Sequence, residues 1–152
     1  MIQRIMNGDW NSKRRKKGQE RMKTVFLGGT CNESKWRERL IPLLKIGYFN
    51  PVVPHWDDDA AAKEIAVRQK TDFCLYVISP KMTGFYSVAE VVDDSNKQPN
   101  KTVFCFVTEE DGMAFTPHQL KSLEQIGKMV VSNGAAWLKD LEDVARYLNT
   151  YC

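Results

Sequence analysis

No stretch of this 152-residue chain approaches 18 consecutive apolar residues, the length of about 18 that a membrane-crossing helix needs. Its amino-terminal end also lacks a hydrophobic signal core, because polar residues surround a basic run there. A soluble, cytoplasmic protein with no membrane partner is the expectation. Histidine is scarce: only His55 and His118 are present, neither with a metal-ligating partner three or four residues on, which argues against a zinc or non-haem iron site. The four cysteines, Cys31, Cys74, Cys105 and Cys152, form no C-x-x-C pair and read as reduced thiols, two of them inside apolar strand-like runs. Neither G-x-x-x-x-G-K-[ST] nor G-x-G-x-x-G occurs, so the two commonest glycine-rich phosphate cradles are excluded.

Charge is present but unevenly spread. The net charge is +3, yet residues 1–21 hold seven basic and two acidic groups, a net +5, which leaves −2 on residues 22–152. The run "NSKRRKKGQER" within that head admits two readings. It is a phosphate-binding arm for nucleic acid, or a solvated extension without fixed structure. The second is preferred, since no aromatic residue is interleaved with the lysines and arginines. Residues 22–152 are expected to form one domain.

From Met22 onward, short apolar runs alternate with longer amphipathic ones. "KTVFLGG", "YFNPVVP", "DFCLYVIS", "KTVFCFVT" and "KMVVS" read as strands. "ESKWRERLIPLLKIG", "DAAAKEIAVRQKT", "GFYSVAEVVDDSNK", "TPHQLKSLEQIG" and "LKDLEDVARYLNTY" read as helices. Near-continuous β-branched and aromatic runs suit strands covered on both faces. Five such β/α units predict an α/β, flavodoxin-like, doubly wound three-layer sandwich with a five-stranded parallel sheet. Ligands of such sheets bind beyond the carboxyl ends of the strands, which singles out four loops.

The first, "GGTCNES", places Gly28 and Gly29 where a ligand can approach the backbone, or where a tight turn leads into a helix capped by Thr30 and Glu33. In the second, "PHWDDD", Trp56 offers a stacking face and Asp57 a hydrogen-bond acceptor, while Asp58 and Asp59 fit the first turn of a helix. Asp72 stands between a helix end and the third strand, where the dipole gives an acid no support; a solvated turn former is the ordinary reading. The third loop leads into the helix carrying Glu90. If Val88, Val91, Val92 and Ser95 form that helix's packed face, Glu90, Asp93, Asp94 and Lys97 lie on the other side. A carboxylate there is a helix-start acid or, sheltered among Val88, Val91 and Val92, a nucleophile for glycosidic chemistry.

"VFLGGT" and "TDFCLYVISPKMTGFYSVAEVVDDSNKQPNKTVFCFV" resemble the nucleoside 2-deoxyribosyltransferase-like family, in particular its bacterial and phage branch. The resemblance runs from Lys23 to Asn149 and is most specific over Gly84 to Val91. It implies cleavage of the N-glycosidic bond of a nucleoside or nucleotide, with Glu90 as the nucleophile that forms a covalent sugar intermediate and no cofactor or metal. It also matches Asp72 to the family's base-side acid and Gly28 and Gly29 to its glycine-rich first loop; taken with the loop reading, the candidates are Asp57 or Asp72 on the base side and Gly28, Gly29, Trp56, Gly84 and Ser87 as substrate contacts. Two positions depart from the family pattern: Phe26 replaces a tyrosine carried by many members, and Gly84 an aspartate. Hydrolysis, with a 5′-phosphate near Ser87 or Thr30, and simple nucleotide binding remain open beside base-to-base transfer. Family members commonly complete the pocket from a second subunit, so a homo-oligomer is expected, with Met82, Phe85, Tyr86 and Phe115 at the site mouth.

Overall fold

Strand side chains point alternately to opposite faces, so an uninterrupted apolar run must feed two cores at once. The structure, a computed structural model describing residues 20–152, shows three runs doing so: β1 (Thr24–Gly29), β3 (Phe73–Ile78) and β4 (Thr102–Phe106). Val25, Leu27, Leu75, Val77 and Val103 face helices α1 (Trp36–Leu40) and α5 (Leu141–Asn149), which contribute Trp36, Leu40, Leu141, Val144 and Leu148. Phe26, Cys74, Tyr76, Ile78 and Phe104 face the other layer, built from α2 (Asp58–Lys70), α3 (Tyr86–Lys97) and α4 (Pro117–Ser132). Short edge strands β2 (Gly47–Phe49) and β7 (Ala136–Trp137) complete a parallel sheet of order β2-β1-β3-β4-β7. This is the flavodoxin-like three-layer order, with its topological switch between β1 and β3.

Several elements differ from the expected ones, the first being α1, which ends at Leu40 and passes into a 3-10 turn (Ile41–Leu43) at Pro42. Residues 128–132, read as a strand, continue helix α4, because Leu123, Gly127 and Val130 recur at helical spacing on its buried side. The helix stops at Asn133 and Gly134, the latter in the left-handed region at φ 96°, and the fifth strand of the sheet is the two-residue β7. The second strand ends at Phe49, ahead of Pro51 and Pro54, which cannot donate to a ladder. After β4 the chain forms a small hairpin, β5 (Glu109–Glu110) and β6 (Met113–Ala114), turned by Asp111 and Gly112 at φ 50° and 77°.

Among the described residues no helix is long and apolar enough to cross a membrane. The lysine and arginine run at 13–17, and the nucleic-acid contact considered for it, lie outside the described residues. Arg21, counted with that head, is tied to the folded body through Asp72 at 2.9 Å.

Candidate active site at the carboxyl end of the sheet

Gly29 sits at φ 116°, and a Cβ there would lie 2.1 Å from the Val77 carbonyl oxygen, so only glycine fits. At Gly28 a Cβ would come within 2.9 Å of the Phe26 and Tyr76 rings, so its absence lets both rings pack against β1. The expected Thr30–Glu33 capping box does not form. Lys35 stands at the N-cap of α1 without a side-chain bond, while the Thr30 hydroxyl accepts from the Ser79 amide at 3.0 Å. The Thr30 carbonyl takes bonds from Trp36 Nε1 at 2.9 Å and Arg37 Nη1 at 2.8 Å, fixing the loop after β1.

The hairpin turns Glu110 inward, where its carboxylate accepts from the Ser34 hydroxyl at 2.7 Å, the Lys35 amide at 2.8 Å and the Ser79 hydroxyl. Burial alone would raise this acid, but the bonds from Ser34, Ser79 and Lys35 hold it below the usual carboxylate range. One side chain thus locks together the loops after β1, β3 and β4. Beside them, at the switch point, lies a cavity of about 170 Å³ whose lining includes Gly29, Thr30, Ile78, Gly84 and Ser87.

One helical turn below Ser87, Glu90 is 9% exposed and belongs to a buried polar cluster. Arg68 of α2 donates from Nη1 to Glu90 Oε2 at 2.7 Å and from Nη2 to Asp94 Oδ1 at 2.9 Å. The Tyr76 hydroxyl of β3 donates to the other Asp94 oxygen at 2.5 Å. Among the described residues no donor meets Glu90 Oε1. Burial pushes the Glu90 carboxyl up to about 7, with Glu64 and Asp94 acting in the same direction and Arg68 against it. Burial would lower Arg68, but Tyr76, Asp94 and Glu90 outweigh it and raise its pKa. The expected packed face of α3, Val88, Val91, Val92 and Ser95, does pack inward, but it extends to include Glu90 and Asp94. Asp93 and Lys97 face solvent as an ion pair at 2.9 Å, whereas Glu90 and Asp94 are buried beside Val91 and Ser95.

Trp56, 64% exposed, donates weakly from Nε1 to Glu64 at 3.4 Å. Asp57 caps α2, accepting from the Ala60 amide at 2.8 Å, and lines a hollow of about 240 Å³ with Phe49, His55, Lys63 and Glu64. Glu64 borders this hollow and also acts electrostatically on Glu90. Gly29, Gly84 and Ser87 line the switch-point cavity, and Ser87 stands one helical turn from Glu90. Gly84 itself has open space where a Cβ would stand. Asp72 is elsewhere: at the amino end of β3, it accepts from the Thr24 amide at 2.9 Å and from Arg21. Of the four residues expected at the mouth, Phe85 and Tyr86 are 77% and 71% exposed, Met82 is half-buried, and Phe115 is packed into the core beside Leu123.

A family model described as nucleoside 2-deoxyribosyltransferase like matches residues 22–109. The chain belongs to that family. No curated protein and no solved structure matches it. The segment matched to the deoxyribosyltransferase-like family contains β1, both cavities' glycine and acidic loops, and the complete Arg68–Glu90–Asp94–Tyr76 cluster. Sequence reasoning did not single out Arg68, Asp94, Tyr76 or Glu64. A signal was available for one of them: Glu90 and Asp94 are spaced i,i+4, and like charges so placed call for a cation from a neighbouring element.

Proposed function

We propose that this member of the deoxyribosyltransferase-like family transfers the sugar of a nucleoside or nucleotide from one base to another, with Glu90 as the nucleophile. The observation that carries the reading is the state of the Glu90 carboxylate. It is sheltered beside the switch point, with Oε2 held by Arg68 and Oε1 free of any described donor. Neither hollow alone, at about 170 and 240 Å³, reaches the roughly 300 Å³ at which ligand pockets begin. A nucleoside spanning both would bring its sugar to the Glu90 carboxylate. Its base would lie toward Asp57 and Trp56, and its 5′ end toward Ser87.

Attack by Oε1 on the anomeric carbon forms a C–O ester bond while the C–N bond breaks; its electron pair departs on the base, which takes up a proton from water. The acceptor base then attacks the same carbon through a ring nitrogen, loses its proton and returns Glu90 as a carboxylate. Asp57 serves base recognition, and Asp72, at the far end of the sheet, takes no part. We also assign the exposed Phe85 and Tyr86 to a contact with a second copy of the chain. Four unpaired thiols, Cys31, Cys74, Cys105 and Cys152, suit a reducing cytoplasm.

The test is a panel of ribo- and deoxyribonucleosides and their 5′-monophosphates, incubated with and without an acceptor base and read by mass. Exchange of the base is expected. Free sugar and free base in the presence of acceptor would replace transfer by hydrolysis on the same carboxylate, and unaltered ligand throughout would contradict catalysis.

A further inference from the structure

We infer that Arg68 is a positioning residue for Glu90: clamped by Asp94, it fixes Oε2 and so aims Oε1 at the sugar. The inference rests on the reading of Glu90 as nucleophile. Its first support is how firmly Arg68 itself is placed. The carbonyl of Arg68 accepts from Lys101 Nζ at 3.2 Å and the Thr71 hydroxyl at 3.2 Å, and Lys101 also holds the Thr71 carbonyl at 2.8 Å. A cation at a helix C-terminus is favoured by the dipole, so the end of α2 is pinned where Arg68 leaves it. The guanidinium carbon lies 6.0 Å from the centre of the Tyr76 ring, and the hydroxyl of that ring holds the Asp94 oxygen that Arg68 does not use.

The second support is the division of the guanidinium. Arg68 does not fork onto one carboxylate; it spreads Nη1 and Nη2 over two carboxylates one turn apart on α3, and its buried Nε has no partner among the described residues. That arrangement satisfies one oxygen of Glu90 and leaves the other for chemistry. It also suits both halves of a double displacement. Before attack, two ionised carboxylates and one guanidinium carry one net negative charge, which favours an oxocarbenium-like carbon. After attack Glu90 is a neutral ester, and Asp94 still pairs Arg68, so no buried cation is left alone.

The charged and titratable groups facing Glu90 are Arg68 and Glu64 from α2, Asp94 from its own helix, and Tyr76 from β3 acting through Asp94. Arg68 opposes the effects of burial, Glu64 and Asp94, so the variants have opposite signs. Arg68→Met should raise the midpoint of Glu90, followed by carboxyl-carbon NMR, by about one pH unit or more. It should lower kcat at least roughly tenfold while changing KM less. Arg68→Lys should restore most of the midpoint but less of kcat, since a point charge cannot span both carboxylates. Asp94→Asn removes a repelling charge and should lower the midpoint, and it serves with Arg68→Lys if Arg68→Met does not fold. A Glu90 midpoint unmoved in Arg68→Met, or in Asp94→Asn where Arg68→Met does not fold, or wild-type kcat in Arg68→Met, overturns the inference. Glu90→Gln separates the two claims. Wild-type turnover in that variant removes the nucleophile and this inference with it; lost turnover beside an unmoved midpoint in Arg68→Met overturns the inference alone.

Discussion

At Glu90 two demands conflict: the carboxylate has to be ionised to attack carbon, and it has to be sheltered so that the sugar meets it without competing water. Its raised pKa of about 7, caused first by burial, turns this conflict into a pH dependence. As pH falls through about 7 the nucleophile becomes protonated, so kcat/KM is expected to fall tenfold per pH unit below it. Stability runs the other way. A carboxyl whose folded pKa is raised contributes stability that is fully present below its unfolded value, near 4.5, and is lost as pH rises through about 7. Glu90→Gln should therefore flatten the decline of Tm across that window while abolishing turnover. A Tm profile parallel to that of wild type, or a pH–rate limb unrelated to Glu90, would contradict the assignment.

Among the elements, β1, β3 and β4 were legible because each is a run of apolar, β-branched and aromatic residues long enough to feed two cores. The end of α4 and the last strand were not. Lys128 to Ser132 contains adjacent valines that look like a strand, and only the spacing of Leu123, Gly127 and Val130 reveals the longer helix. Strand β7 contributes two residues, too few for any alternation to register. Its placement depends on Gly127, where a Cβ would stand 2.4 Å from the Trp137 ring. Gly127→Ala should thus destabilise the protein by about 1–3 kcal/mol in chemical denaturation, although alanine in an exposed helix would gain about 1 kcal/mol. A more stable variant would show that α4 and β7 are not packed as described. For the site, Gly29 and Ser87 were singled out by loop position and motif, and both line the switch-point cavity. Arg68 was not, because a basic residue near a helix C-terminus already has an ordinary explanation in the dipole, and its partners come from another helix.

Two of the molecule's hollows lie beyond the carboxyl ends of β1, β2 and β3, in the half of the sheet that α3 and its buried Glu90 cover. Beside that end Phe85 and Tyr86 project from the start of α3, a costly exposure for a monomer. Light scattering at micromolar concentration should find an oligomer, and joint Phe85→Ser and Tyr86→Ser substitution should yield monomers. A fully active wild-type monomer would contradict the contact and leave Glu90 untouched. The claim at the centre is that Glu90 bonds covalently to the sugar. The direct measurement is mass analysis after incubation with a 2-fluoro-substituted nucleoside bearing a good leaving group, since the fluorine slows breakdown of the glycosyl ester. The account predicts one sugar adduct per chain, located on Glu90 and absent from Glu90→Gln; an adduct on another residue, or one that persists in Glu90→Gln, would contradict it.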